Sequence, residues 1–282
     1  DLSVYLILQR LRHHRIEPTE LKFLNGPMYS SLGGGSMTSY ATLIAMAKEQ
    51  GKILTMLDPH FLTPPSTSSV SANKTKAQKQ QRQVSVAPKM FGVGWDSDIH
   101  RFTAPLWLAA LDDEIVVRSA SLLGYPAFRY VEAQTYSSSF FGFMSAWWTF
   151  VGAYLLAACL YFAPTRWLLT KLRPPGSGPN RYIRERGWGK MFLMAKGETP
   201  LGGEATFWGE FYIPNGDPGY QETSKMLIES ALCLVLDLDK LPHGGTGTAE
   251  GNKQGGVLTP AAAFGQVLME RLEKASKMKF RL

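Results

Sequence analysis

Between Ala133 and Thr165 the chain carries no charged side chain, and Phe140–Ala163 alone gives 24 consecutive, mostly apolar positions. About 20 such residues suffice for a helix to cross the hydrocarbon core of a bilayer. Trp147, Trp148 and Tyr154 lie inside the run, while Tyr161 and Trp167 sit near its end, where interfacial aromatics belong. The pattern predicts a membrane-contacting helix. The alternative is a core helix buried on all sides, although such helices are usually shorter and carry some polar residues. If the segment crosses, Arg166, Lys171 and Arg173 place its C-terminal side in the cytoplasm. Substantial α/β sequence on both sides makes crossing awkward, because a domain cannot straddle a bilayer. A partly inserted, monotopic attachment is therefore favoured, with crossing still open.

Elsewhere the periodicity alternates between helical and extended. Leu2, Val4, Leu6, Ile7 and Leu11 suit a helix over residues 2–15, and Glu20–Leu24 reads as a strand closed by Asn25-Gly26-Pro27. Gly33-Gly34-Gly35 followed by Ser36-Met37-Thr38-Ser39 is a sensible start for a helix through Tyr40–Lys48. A helix is expected over Pro105–Leu123, a strand from Phe128, and an amphipathic piece at Arg166–Leu172 ended by Pro174-Pro175-Gly176. Lys190–Lys196 and Thr206–Ile213 read as strands, and Tyr220–Leu236 as a core helix. Thr259-Pro260 opens a last helix to about Lys274, and Lys279–Leu282 adds a final strand. Residues 58–90, rich in Pro, Ser, Lys and Gln, read as a long surface loop, and Gly244–Gly256 as a glycine-rich one. The mixture predicts an α/β (α+β) fold with a mixed sheet and no internal repeat.

With 282 residues the chain can bury a proper core. Its net charge of +7 is concentrated in two places. Lys74, Lys76, Lys79, Arg82 and Lys89 share a stretch without acids. Arg166, Lys171, Arg173, Arg181, Arg184, Arg186 and Lys190 follow the apolar run, opposed only by Glu185. No stripe of basic residues interleaved with aromatics appears, so nucleic acid is not an expected partner. A basic cluster beside an apolar helix fits an anionic membrane surface. The two cysteines, Cys159 and Cys233, fall in separate apolar elements, so no disulfide is expected, and five scattered histidines give no metal-ligand spacing.

Candidate chemistry is sparse. The Gly33-Gly34-Gly35-Ser36 turn lacks the third spaced glycine of a dinucleotide fingerprint and the Gly-Lys-Ser/Thr of a phosphate loop. Its amides suit an anionic or carbonyl group at a helix start, and a plain tight turn explains it equally well. Asp96 and Asp98 are either acids at a cleft or a solvated turn, the latter favoured. The residues alone identify no reaction.

Several stretches, in order, resemble the saccharopine dehydrogenase-like oxidoreductases, the family that includes bacterial trans-acting enoyl reductases. Asp1-Leu2-Ser3-Val4 is similar to the segment after that family's Rossmann domain. Gly34-Gly35-Ser36-Met37-Thr38-Ser39 resembles its Gly-Gly-Thr-x-x-Ser turn, with Ser36 in place of Thr. Pro105 through Ile115-Val116-Val117-Arg118-Ser119, the end of the apolar run at Pro164-Thr165-Arg166-Trp167, and Gly255-Gly256-Val257-Leu258-Thr259-Pro260-Ala261-Ala262-Ala263-Phe264 are further counterparts.

The resemblance implies a two-domain Rossmann-type oxidoreductase using NAD or NADP, with this chain as its substrate-side domain. The chain starts at Asp1-Leu2-Ser3 without Met and lacks the glycine fingerprint, so we expect it to be a C-terminal portion, inactive alone and without cofactor-binding residues of its own. The expected layout is residues 1–57, 91–136 and 166–282 as one α/β domain, interrupted by the 58–90 loop and the 140–163 anchor. Gly33, Gly34, Gly35, Ser36 and Ser39 would border the substrate cleft. Catalytic residues stay unassigned. Because family relatives act in lipid and glycolipid metabolism or sit on membranes and lipid droplets, a lipid-like substrate and a membrane or lipid-droplet surface are the implied partners. The implied location is a cytoplasmic membrane face (lipid droplet, mitochondrion or endoplasmic reticulum), with a homodimer left open. A protein that keeps the fold on a membrane surface but has lost catalysis is the alternative.

Overall fold

A computed structural model describes residues 1–31, 33–51, 58–63, 84–86, 92–106, 109–242 and 257–282. The predicted glycine-rich loop at Gly244–Gly256 and most of the 58–90 loop lie outside the described residues. Helix α1 (Leu2–His13) buries Val4, Ile7, Leu8 and Leu11; of the residues read from its spacing, Leu2 and Leu6 are only half-buried. It leads into strand β1 (Glu17–Tyr29). The strand runs past the expected stop at Asn25-Gly26-Pro27 because the pairing shifts register between Asn25 and Met28, a local irregularity that accommodates the proline. Gly26 is needed there, since a Cβ would lie 2.8 Å from the Lys190 carbonyl oxygen.

Helix α2 (Gly34–Glu49) follows. Strand β2 (Ser85–Val86) lies inside the region read as loop and pairs with a central strand. Strands β3 (Gly94–Asp96) and β4 (Arg101–Ala104) form a hairpin too short for its alternation to be visible in the sequence. Helix α3 (Ala109–Leu122) begins later than Pro105. Strand β5 (Arg129–Tyr136) leads to α4 (Phe140–Tyr161), which breaks at Phe162 (φ −86°, ψ 130°) before α5 (Ala163–Leu172). The break places Pro164 in the first turn of α5, where its missing N–H costs nothing. Then come α6 (Arg181–Arg186), β6 (Trp188–Glu198), β7 (Glu204–Ile213), a π-turn at Pro218–Glu222, α7 (Thr223–Leu236), α8 (Pro260–Ser276) and β8 (Lys279–Arg281).

The described strands form one mixed sheet in the order β3-β4-β5-β1-β6-β7-β8, with β2 also against β5. The central pair β1–β5 is parallel and β1–β6 antiparallel. This is the expected mixed-sheet α/β architecture. On one face α1 and α3 pack over Leu21, Tyr130, Leu193 and Ala195 as the main core. A second core joins Cys233 of α7 to Leu268 and Leu272 of α8 and to Ile213. Apart from Cys233, α7 is not the core helix expected: Leu227, Ile228 and Val235 are exposed. Cys159 and Cys233 are both free thiols.

On the opposite face Lys22 is buried, and the turn after β3 folds over it. Its ammonium donates to Asp96 Oδ2 at 2.7 Å and to Asp98, while Lys196 donates to Asp98 Oδ1 at 2.7 Å. Asp96 and Asp98 are therefore not a solvated turn but the anions of a part-buried ion network. Burial alone would lower the Lys22 ammonium, but its two carboxylate partners outweigh that and raise it.

The apolar run is a 22-residue helix with little of its surface covered: 11% of its most apolar window is buried. Burial on all sides is excluded, because Phe141, Trp148 and Leu155 are 81%, 71% and 63% exposed.

Candidate functional site

Strands β1 and β5 run parallel at the centre of the sheet, and from their carboxyl ends the chain turns into α2 and α4. The glycine turn sits at the first of these ends. Gly33 and Gly34 are buried, and each is glycine for a packing reason. A Cβ on Gly33 would lie 1.9 Å from the Tyr220 hydroxyl oxygen, and one on Gly34 would lie 2.0 Å from the Pro174 carbonyl oxygen. The Gly34 N–H donates to the Ser177 carbonyl at 2.8 Å, so that amide already has a partner. Gly35 and Ser39 are exposed, with open space around Gly35. Ser36 is half-buried, its hydroxyl 3.2 Å from that of Tyr220.

The π-turn that carries Tyr220 is anchored from below. Asp217 is fully buried; its carboxylate accepts from the Ser30 hydroxyl at 2.6 Å and from the Tyr220 N–H at 2.8 Å. Ser30 follows β1 directly, so Ser30, Asp217, Tyr220 and Ser36 form one connected polar chain between the end of β1 and the start of α2. Ser30, Asp217 and Tyr220 escape sequence reasoning because the partners lie 184 and 187 positions apart. A Ser–Tyr hydroxyl pair of this kind can hydrogen-bond a substrate oxygen. The turn does not fit a dinucleotide: Tyr220 and Pro174 occupy the space that a pyrophosphate needs above the first two glycines.

A second polar cluster lies beneath the helices. Glu132 of β5 is 3% exposed and accepts from the Tyr130 hydroxyl at 3.0 Å and from Asn25 Nδ2 at 3.3 Å. Burial first, then the nearby Asp112 and Asp113 carboxylates, push its carboxyl up to about 7. Glu114, also buried, is pushed to about 7 by desolvation and by Asp58. Perturbed carboxyls of this type mark functional sites or structural cores alike.

Three stretches that the sequence singles out meet at a third place. Asp1 Oδ1 lies 2.7 Å from the Ser119 hydroxyl, and Oδ2 accepts from the Ala261 N–H at 2.8 Å. Ser119 Oγ is 2.6 Å from Thr259 Oγ1, the cap of α8, and Arg118 Nη2 donates to the Val257 carbonyl at 2.6 Å. These residues clamp α1, α3 and α8 together; the Ser119–Thr259 contact is buried, Asp1 and Arg118 are half-buried, and Val257 is exposed. No group of His, Cys, Asp and Glu among the described residues is arranged to hold a metal.

No family model and no solved structure matches this chain. It is 30% identical over 288 aligned positions to a Mycobacterium tuberculosis protein named, provisionally, a trans-acting enoyl reductase; the alignment takes in 98% of this chain and 62% of the relative. A trans-acting enoyl reductase of Mycobacterium leprae is 27% identical over 98% of the chain and 62% of its own length. That of Mycobacterium ulcerans is 28% identical over 85% of the chain and 53% of its own length. The chain is related to proteins named as enoyl reductases. It spans less than two thirds of the length of these curated relatives.

Proposed function

We propose that this chain is the substrate-side region of a saccharopine dehydrogenase-like, NAD(P)-dependent reductase acting on a lipid-like substrate, attached to a membrane through α4. The observation that carries the reading is similarity to enoyl reductases along 98% of the chain. The exposed apolar α4 supports a lipid-like substrate presented at a membrane or lipid-droplet surface. The nicotinamide, when bound, supplies the hydride, and residues outside this chain hold it. Here Ser36 and Tyr220 bind and orient the substrate, their hydroxyls directed at its carbonyl oxygen, with Asp217 fixing the backbone that carries Tyr220.

The test is NADH or NADPH consumption by the full-length protein with α,β-unsaturated acyl substrates. Tyr220→Phe leaves the ring in place beside Gly33 and removes the hydroxyl, so kcat/KM should fall on the order of 100-fold with cofactor binding unchanged. Failure of the full-length protein to bind either nicotinamide would refute the reading and favour a non-catalytic surface protein that keeps the fold.

A further inference from the structure

Helix α4 is fastened to the domain along one side and open along the other. Gly142, Ala146 and Leu160 are buried; Phe143 packs on Phe102 of β4 with ring centroids 5.3 Å apart; and Leu160 joins Met37 and Ala41 of α2 in a small core. The open side presents Phe140, Trp147, Trp148, Val151, Leu155 and Phe162. Past the break at Phe162, the exposed Trp167, Leu168 and Leu172 of α5 continue the apolar surface, and Arg166 and Lys171 stand among them. The Arg166 guanidinium is held at the bend by the Leu160 carbonyl at 3.3 Å, and the Lys171 ammonium lies 4.8 Å from the Trp167 ring centre. A groove of about 630 Å³ between α2 and α5 opens at the same place, lined by Ala45, Met46 and Trp167, with Arg166, Lys171 and Glu49 as its charged residues.

Topology decides how such a surface meets a bilayer. Strand β5 feeds α4, and β6 follows α5 and α6; the two strands flank β1 in one sheet, about 10 Å apart at ordinary strand spacing. Helix α4, about 33 Å long, could reach across the core. The chain would then have to return to β6 through α5, whose ten residues cover about 15 Å of a core about 30 Å thick and include Arg166 and Lys171, and then through the non-helical stretch 173–180 and the Arg-rich α6, which hydrocarbon does not accept. It cannot. The sheet stays whole only if both ends of α4 remain on one side.

We infer that α4 and α5 lie in the plane of one leaflet, the domain on one side and acyl chains on the other, and that Arg166 near the bend and Lys171 in the last turn of α5 take the phosphates of anionic phospholipids. This inference rests on the membrane attachment proposed above and adds its geometry and its lipid preference. Charge complementarity selects the occupant: a basic pair set in an apolar, Trp-bearing surface matches an anionic headgroup region.

The full chain, tagged at both termini, is mixed with preformed vesicles of phosphatidylcholine alone or of phosphatidylcholine with phosphatidylglycerol, and binding is read by flotation. Phosphatidylglycerol should tighten binding, and Arg166→Gln with Lys171→Gln should remove about fivefold per residue of that gain. Trp148→Gln with Leu155→Gln should weaken binding to both vesicle types. Both tags should remain digestible by protease added outside. Thermal melting establishes that the variants fold, and added salt, which should cancel the phosphatidylglycerol gain in the unaltered chain, gives a second readout. Equal affinity for the two vesicles, or protection of one tag, overturns the inference while leaving membrane attachment standing. No binding to either vesicle overturns the attachment itself.

Discussion

Replacing Glu132 by Gln tests whether the core beneath α3 holds a carboxyl that prefers to be neutral. Its carboxyl sits at about 7 instead of the ordinary 4.5, because burial and the Asp112 and Asp113 carboxylates oppose its charge. In the folded protein it therefore keeps its proton over a range where the unfolded chain has released it. Stability from this group is full below pH 4.5, declines as pH rises towards 7, and is flat above. The cost of ionising it in place is on the order of 3 kcal/mol. Gln mimics the protonated acid: its carbonyl oxygen accepts from Asn25 Nδ2, and its amide donates to the Tyr130 hydroxyl oxygen, which turns from donor to acceptor. The variant should match the parent near pH 5 and melt about 5 °C higher at pH 8, a shift scaled from the entropy of unfolding a chain of this length. Differential scanning calorimetry across that range reads both curves. Parallel curves, or a variant less stable at pH 8, would falsify the placement of a neutral acid in this core.

The other predictions concern the sheet face, the glycine turn and the helix clamp. Lys22→Met strands Asp96 beside an apolar side chain and should cost on the order of 3 kcal/mol in urea denaturation. Asp98, held low first by Lys196 and then by Lys22, contributes stability that is lost only as pH falls below 3.8, so acid unfolding should start at higher pH in that variant. Gly33→Ala and Gly34→Ala should each cost about 1–3 kcal/mol by forcing Tyr220 or the Pro174 backbone away. Gly35→Ala, with open space around it, should be neutral or stabilise by about 0.5–1 kcal/mol, and equal melting of all three would contradict the turn's packing. Thr259→Ala removes the α8 cap and its contact with Ser119, and should cost about 1–2 kcal/mol in the same assay.

Periodicity by itself located most of the elements that make this fold. It located α1 and strands β6 and β7, because burial of one face imposes a spacing that sequence displays directly, while the run from Phe140 showed by its unbroken apolarity and the α8 start by Thr259-Pro260. The length and apolarity of α4 were equally plain, but whether its surface was covered was not. Only the packing of α2, β4 and β5 along one side shows that its other side is bare, and only the position of β5 and β6 in one sheet bears on whether it can cross. The β3–β4 hairpin was invisible because three or four residues carry no usable alternation. Asp96 and Asp98 looked like a solvated turn because their cations, Lys22 and Lys196, come from strands 74 and 98 positions away. In the same way the glycine turn was legible as a turn, while Tyr220, whose hydroxyl makes Gly33 obligatory, was not. Local patterns record which face is buried; the partners that give a polar residue its role are chosen by the folded chain.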